Sequence, residues 1–536
     1  MMAPVSLLPE SAPFSDEQRA WLDGFLSGWL GIQDQGGGLS VMDAIPHVEE
    51  EEVEEEDHPW HDPAIEMEER LEMAKDRPVE RQLMAAMAQL DCGSCGYDCQ
   101  RYAEAIVNGE EKSLKLCSPG GSATAKKLKE LVSLNVGSVG AANGKSSATN
   151  GNGTATNGNG KAAEQGYSRT NPFPAKIAAI RNLNGTESAK RTSHVEIDLS
   201  GSGITYEVGD SLGVYPTNCS ELVTEIINEL RATGDESVSV DGKSVSLVEA
   251  LTDHYCLTEI TEELLTAMIS KGGNLSEAKL LEHYIDDDED ISGWDVLDLL
   301  RQFSSAKLTA EELVYSLSPM KPRLYSISSS LKAHPNQVHL TVGRVGWEFR
   351  NRIRKGVAST MFSDRMAIGS TVRVFVHRSH GFTVPEDPHA KMIMVGPGTG
   401  IAPFRAFLQE RQARKASGEN WLFFGDQKAS CDFLYRDELE SLRESGLLGQ
   451  LDVAFSRDQQ EKVYVQDRMR ERGAELWKWL NSGAHFFVCG DAKRMAVDVD
   501  RTLKEIACEH GGLSEADATA FLSRLAKEKR YCRDVY

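Results

Sequence analysis

No stretch of the chain approaches the roughly eighteen uninterrupted apolar residues that a membrane span requires. The opening, Met1 to Gln18, lacks the basic and apolar regions of a secretory signal, so a cytoplasmic location is expected. Positive charge is also short: 58 Lys and Arg face 82 Asp and Glu, a formal net charge of −24. Such a surface repels a phosphate backbone, which argues against nucleic acid and favours a basic protein partner. Cysteine is sparse, ten in 536 residues, unlike the dense framework of a stapled secreted domain. Four of the ten bunch between Cys92 and Cys117, which suggests metal. The other six, Cys219, Cys256, Cys431, Cys489, Cys508 and Cys532, stand singly and read as ordinary, mostly buried thiols.

What is present divides the chain. Ser15 and Gln18 form a capping box ahead of an apolar stripe, Trp21, Leu22, Phe25, Leu26, Trp29 and Leu30, which predicts one amphipathic helix. Glu49 to Asp57 is almost wholly acidic and can bury nothing, so it reads as a solvated tether. A Gly, Asn, Ala, Ser and Thr stretch, about Asn135 to Gln165, reads as a flexible linker spanning about 30 Å by random-coil scaling. Beyond Pro172, strands at Ala175 to Ile180 and His194 to Leu199 lead into a helical region from about Ser220 to Ser318. From Lys391 strands and helices alternate as in a parallel α/β sheet, with strands at Met392 to Val395, Trp421 to Phe424, Leu451 to Phe455 and His485 to Cys489. The expected fold class is multidomain α/β, with five parts. Residues 1–64 hold helix and tether, 65–133 a small α-helical cluster domain and 134–166 the linker. An antiparallel β-barrel with a helical insertion at about 220–318 fills 167–385, and a parallel-sheet domain fills 386–536.

The four bunched cysteines run Cys92-x2-Cys95-x3-Cys99 and then, after seventeen residues, Cys117. Four soft thiolates can enclose an iron-sulfur cubane, and Gly93 and Gly96 let the backbone turn its N–H groups toward cluster sulfurs. A structural zinc site is the competing reading, although zinc usually takes its ligands as two short pairs. The segments Cys92-Gly-Ser-Cys-Gly-Tyr-Asp-Cys99, Tyr102-Ala-Glu-Ala-Ile-Val-Asn-Gly109 and Cys117-Ser-Pro-Gly-Gly121 resemble the small [4Fe-4S] domain of Rnf-type B subunits and corrinoid iron-sulfur proteins. That resemblance implies Cys92, Cys95, Cys99 and Cys117 as ligands. Ser118 stands where that family often has proline.

Arg323-Leu324-Tyr325-Ser326 offers a cation for a pyrophosphate, a ring to pack on an isoalloxazine and a hydroxyl near its hydride-accepting nitrogen. Gly356-Val357-Ala358-Ser359 precedes a helical pattern, whose free N–H groups form a second anion site. From Tyr167 to Tyr536 the chain resembles the C-terminal half of diflavin reductases, most closely the flavoprotein subunit of assimilatory NADPH sulfite reductase. The residues that carry this are Tyr206-Glu-Val-Gly-Asp-Ser-Leu-Gly-Val-Tyr215, Arg323-Leu-Tyr-Ser-Ile-Ser-Ser329, Thr341-Val-Gly343 and Gly356-Val-Ala-Ser359. By that resemblance Thr341, Val342, Gly343 and Trp347 also line FAD, together with Thr258.

Gly396-Pro-Gly-Thr-Gly-Ile-Ala-Pro-Phe-Arg405 follows a predicted strand, and Ile401 replaces the third glycine of the dehydrogenase fingerprint. The turn has the ferredoxin-reductase form, in which Gly398 and Thr399 let the backbone approach a dinucleotide. Ser456-Arg457 and Lys462-Val-Tyr464-Val-Gln466 offer charge and hydroxyls to a 2′-phosphate, which selects NADPH. Asp498 joins this site by resemblance. So do the terminal residues: Tyr536 covers the flavin face, while Asp534 and Ser326 help to position hydride transfer. Asp426 stands where some relatives carry cysteine and receives no role.

Hydride brings two electrons and a cubane accepts one, so FAD must lie between NADPH and the cluster. The first 170 residues lack the phosphate loop and strand pattern of a flavodoxin-like FMN domain, and the cluster domain takes its place. The sequence therefore reads as an NADPH-dependent oxidoreductase, a sulfite reductase-type flavoprotein whose partner is a sirohaem subunit; a ferredoxin, a flavodoxin or another acceptor is the alternative.

Overall fold

The backbone from Pro172 onward alternates between two periodicities, and a computed structural model of the chain shows a sheet for each. It describes residues 60, 66–89, 97, 99–111, 113–117, 120–134, 167–286, 291–379 and 381–536. The helix after Ser15, the acidic run, Cys92, Cys95 and the linker lie outside the described residues. Residues from Trp60 onward form one unit. Among the described residues no helix is long and apolar enough to cross a membrane.

The first sheet takes β1 (Phe173–Asn182), β2 (Thr192–Asp198) and β3 (Ser211–Tyr215). An insertion follows, built of helices and a small hairpin, β4 (Ser237–Val240) with β5 (Lys243–Ser246). The sequence predicts a helical region here and gives no hairpin. The hairpin differs because Ser-Val-Ser-Val alternates with period two around an Asp241-Gly242 turn, both residues with positive φ. Next come β6 (Arg323–Ser326), β7 (Gln337–Gly343), a second hairpin of β8 (Gly346–Phe349) and β9 (Arg352–Lys355), and β10 (Thr371–His377). The antiparallel order is β6-β3-β10-β1-β2-β7. Its end strands form no ladder with each other; one bridge, Ile327 to Leu340, joins them, so the expected barrel is a curled sheet fastened at a single point. Alternate residues, among them Ile177, Val195, Leu212, Val338, Leu340 and Val374, fill its core.

The second sheet contains β11 (Met392–Val395), β12 (Asn420–Asp426), β13 (Gln450–Phe455), β14 (His485–Gly490) and β15 (Tyr531–Val535). All pairs are parallel in the order β13-β12-β11-β14-β15. Both faces are covered, so the middle strand β11 is apolar at every position and its neighbours β12 and β14 are apolar through their centres. Ile393, Val395, Trp421, Phe423, Phe486 and Val488 pack into one layer, and Met392, Met394, Leu422, Phe424, Phe487 and Cys489 into the other. Strand β15 was not foreseen. Its sequence, Tyr-Cys-Arg-Asp-Val, has charge in the middle and becomes a strand through its ladder with β14.

The N-terminal module joins helices Met67–Ala74, Val79–Ala85, Cys99–Val107 and Gly121–Leu134. Leu83, Met87, Tyr102, Ile106, Leu116 and Leu128 form its core, and Cys99 and Cys117 belong to it.

Candidate functional site

The carboxyl ends of the parallel strands face the curled sheet across a cleft of 1270 Å³. This exceeds the about 300–1,000 Å³ of ordinary small-ligand sites and has room for extended dinucleotides. Of the flavin and nicotinamide candidates, all line it except Val342, Arg457 and Lys462. Val342 points into the sheet core, 1% exposed, because it alternates with Thr341 and Gly343 on β7. Arg457 and Lys462 are exposed beyond β13.

The flavin half begins at β6. Arg323, Leu324, Tyr325 and Ser326 are each half-buried and pair with β3, so all four are fixed by a ladder. Tyr325 rests edge-on against Phe362, 6.1 Å between centroids, and burial pushes its phenol above the ordinary range. Gly356 caps the helix Val357–Thr360, which continues as the π-helical turn Met361–Arg365, leaving first-turn N–H groups without intrahelical partners. A Cβ on Gly356 would come within 2.6 Å of Ser359 Oγ and 3.0 Å of the Val345 Cβ, so a side chain here would crowd the turn. Lys355 and Arg323 supply positive charge beside it. This donor set suits a pyrophosphate, and exposed Trp347 and Thr258 extend the lining.

The nicotinamide half begins after β11. Gly398 has φ +58°, and a Cβ on Gly400 would lie 2.1 Å from the Cys489 carbonyl oxygen, so strand, turn and helix Ile401–Arg414 close tightly only with glycine. Ser456 N–H donates to the Asp426 carbonyl at 2.9 Å, and Gln466 Nε2 donates to Asp498 at 3.3 Å; of the predicted 2′-phosphate residues, Ser456, Tyr464 and Gln466 line the cleft together with Asp498 and Arg494.

The two halves meet at the chain's last strand. Ser326 Oγ donates to Asp534 Oδ2 at 2.7 Å, and Cys489 Sγ lies 3.7 Å from the same oxygen. Burial raises the carboxyl of Asp534, opposed by the hydrogen bonds from Ser326 and Cys489. Burial, with Asp534 close by, also pushes the Cys489 thiol up. The Tyr536 hydroxyl shares a 2.9 Å hydrogen bond with Thr399 Oγ1, and both residues line the same cleft. Cys489 is the fully buried thiol the sequence led one to expect, and it packs behind the cleft against the carboxylate of Asp534.

Sequence reasoning also missed the cations Lys190, Arg191, Arg344, Arg378 and Arg494, which come from loops and strand ends, and Arg533, in the middle of β15. Asp426, left without a role, pairs with Lys190 across the cleft at 2.5 Å. Burial raises its carboxyl while Lys190 opposes the shift.

Three family models fit these parts. Residues 165–361 match the FAD binding domain, 394–501 the oxidoreductase NAD-binding domain, and 87–119 the family described as "Putative Fe-S cluster". The chain carries flavin- and nicotinamide-binding oxidoreductase domains. The sulfite reductase [NADPH] flavoprotein alpha-component of Bacillus subtilis is 47% identical over 377 residues, 70% of this chain and 62% of that protein. Those of Serratia proteamaculans and Aliivibrio fischeri are each 46% identical, over 376 and 374 residues, 69% of this chain and 62% and 61% of theirs. The chain thus spans less than two thirds of the curated relatives it matches.

Of the expected cluster ligands, Cys99 opens a helix and Cys117 lies in the same core. A Cβ on Gly120 would come within 3.1 Å of Cys117 Sγ, and the N–H groups of Gly120 and Gly121 return to the Cys117 carbonyl at 3.1 and 3.0 Å. Cys92 and Cys95 are outside the described residues, and among those described no three ligand-type side chains gather. Tyr97, between the cysteines in sequence, stacks on Tyr102 and lies 4.5 Å beneath the Arg169 guanidinium, where the flavin domain begins.

Proposed function

We propose that the chain is an NADPH-dependent FAD reductase that passes electrons through a [4Fe-4S] cluster, held by Cys92, Cys95, Cys99 and Cys117, to the sirohaem subunit of a sulfite reductase. One observation carries this reading: Ser326, Asp534 and Tyr536 line the one cleft that a flavin half and a nicotinamide half share, with Cys489 buried behind Asp534. The flavin would supply acceptance of a hydride and release of single electrons. Arg323 and the Gly356 turn hold the pyrophosphate, while Tyr325 and Trp347 flank the rings. Ser456, Arg457, Lys462, Tyr464 and Gln466 select the 2′-phosphate, and Gly398 and Thr399 bring the dinucleotide in. Tyr536, which lines the same cleft, would cover the flavin ring and would have to move aside for a nicotinamide. Ser326 positions the reacting edge through Asp534, whose buried carboxyl is suited to hold a proton there.

The domain division at 65–133, 167–385 and 386–536 follows from the same reading, as does a cytoplasmic setting. The partner rests on what the relatives' names say of them, together with the net charge of −24 that favours a basic surface. Anaerobic purification tests the first part: flavin bands with a broad iron-sulfur shoulder, bleached by NADPH, and about four iron per chain without zinc are expected. A colourless or zinc-loaded protein would defeat it. Co-expression with a sirohaem protein tests the acceptor. NADPH-driven sulfide is expected, and reduction of a ferredoxin or flavodoxin without any sulfide would transfer the assignment to that acceptor.

A further inference from the structure

Thr341 of β7 has its hydroxyl 2.7 Å from that of Tyr435, which lies 2.9 Å from His194 Nδ1. His194 Nε2 is in turn 3.3 Å from Glu196 Oε1. Thr341 and His194 belong to the flavin sheet. Tyr435 comes from the nicotinamide domain, in a left-handed turn with φ 55°. Its ring sits beside two guanidinium groups, Arg405 at 4.9 Å and Arg181 at 5.7 Å. His194, Thr341 and Tyr435 are 1%, 5% and 6% exposed, so water does not compete for these bonds.

The direction of each bond follows from what each group can give. A carboxylate only accepts, so His194 Nε2 carries the hydrogen that points at Glu196. Burial and the charge of Arg405 lower His194 to about 2, so the ring is neutral and has one N–H only. Its Nδ1 is therefore an acceptor, and Tyr435 must donate to it. The Tyr435 oxygen then accepts from Thr341. The threonine's single proton is committed away from the cleft that the residue lines, and its oxygen has only lone pairs left for a ligand.

We propose that Tyr435 is a positioning residue: reaching across from the nicotinamide domain, it fixes the Thr341 hydroxyl as a hydrogen-bond acceptor toward an N–H of the bound isoalloxazine. This rests on the FAD reading of the cleft. A hydroxyl without such a partner rotates to serve as donor or acceptor. A pinned one discriminates between ring states, because oxidised and reduced isoalloxazine differ in their N–H groups. The nicotinamide domain thereby influences the flavin through a proton's orientation as well as through the hydride site.

The test uses the full-length holoprotein and the variants Tyr435→Phe, Thr341→Val, Thr341→Ser and the double Tyr435→Phe/Thr341→Val. FAD per chain, the visible flavin maxima and the flavin midpoint potential are measured for each. In flavin-replete protein, Tyr435→Phe and Thr341→Val should displace maxima and potential in the same direction. The double variant should move them no further, and Thr341→Ser should match the parent. Unchanged maxima and potential in flavin-replete Tyr435→Phe, or additive shifts in the double variant, would overturn the proposal. A parent chain that binds no FAD would instead overturn the reading of the cleft, and the proposal with it.

Discussion

Ser326, the last residue of β6, donates a 2.7 Å hydrogen bond to Asp534 on β15, tying the flavin sheet to the edge strand of the nicotinamide sheet across 208 positions of sequence. The acceptor is a carboxylate held where burial disfavours its charge.

Replacing that carboxylate separates chemistry from stability. Asp534→Asn should slow bleaching of the flavin by NADPH by about a hundredfold, the scale of a lost proton-handling group, as read by stopped-flow absorbance. The folded protein holds the Asp534 proton more tightly than the unfolded chain does. The group's contribution to stability is therefore full below the unfolded carboxylate range and lost as pH rises through the raised folded value. At neutral pH the asparagine variant should melt higher than the parent, and the gap should shrink toward acid. Thermal melts of the apoprotein at about pH 5 and about pH 8 check the sign.

His194 and His339 behave oppositely. Burial and Arg405 lower them to about 2 and about 3, against an ordinary 6.5. Their folded values are depressed, so the unfolded chain takes up protons first as pH falls. The stability they contribute is present above 6.5 and declines toward the folded values, by about 1.4 kcal/mol per pH unit for each group. Denaturant midpoints of the parent and His339→Gln between about pH 6.5 and pH 4 should diverge in slope, with the variant flatter. Parallel slopes would refute it.

The helical insertion is fastened by a buried charge cluster. Asp295 caps the helix Val296–Gln302 and accepts from Arg354 at 2.8 Å and Arg352 at 2.9 Å, while Asp298 also pairs with both arginines. Burial alone would raise Asp298, but the hydrogen bonds from Arg354, the Asp295 N–H and Arg352, with the charge of Arg354, together outweigh it and hold the carboxyl low. Arg354→Leu leaves two buried carboxylates short of a partner and should cost about 3–5 kcal/mol, measured as a lower denaturant midpoint.

In the cluster module, Gly120 has no space for a methyl group: a Cβ would lie 2.2 Å from Thr124 Oγ1 and 3.1 Å from Cys117 Sγ. Gly120→Ala should displace the thiolate and reduce iron per chain severalfold while FAD content stays at the parent level. Equal iron in both proteins would exclude Cys117 as a ligand.

Which of these features could be read from the sequence follows from how locally each is specified. Met392 to Val395 is apolar at every position because both faces of its sheet are covered, and that pattern alone announced a buried strand. Strand β15 gave no such pattern because its identity comes from pairing with β14. Most flavin and nicotinamide candidates sit in short contiguous motifs, which one turn or ladder positions together. Lys190 enters the cleft alone, and Cys489 and Tyr435 touch its lining residues Asp534 and Thr341 from behind, each from a segment whose local composition is that of an ordinary strand, loop or turn. Val342 shows the reverse error: a contiguous motif on a strand alternates faces, so its middle residue turns away.

Between the two halves, Arg405 donates to the Ser328 carbonyl, Glu410 accepts from Ser330 and Lys332, and Asp432 accepts from Asn184 and Ser188. Such a seam resists recombination. Exchanging one half for a distant counterpart would strand these donors and acceptors without complements, whereas a crossover upstream of residue 167 breaks none of them. A lineage can therefore trade the module at its front while the flavin- and nicotinamide-binding pair is inherited whole.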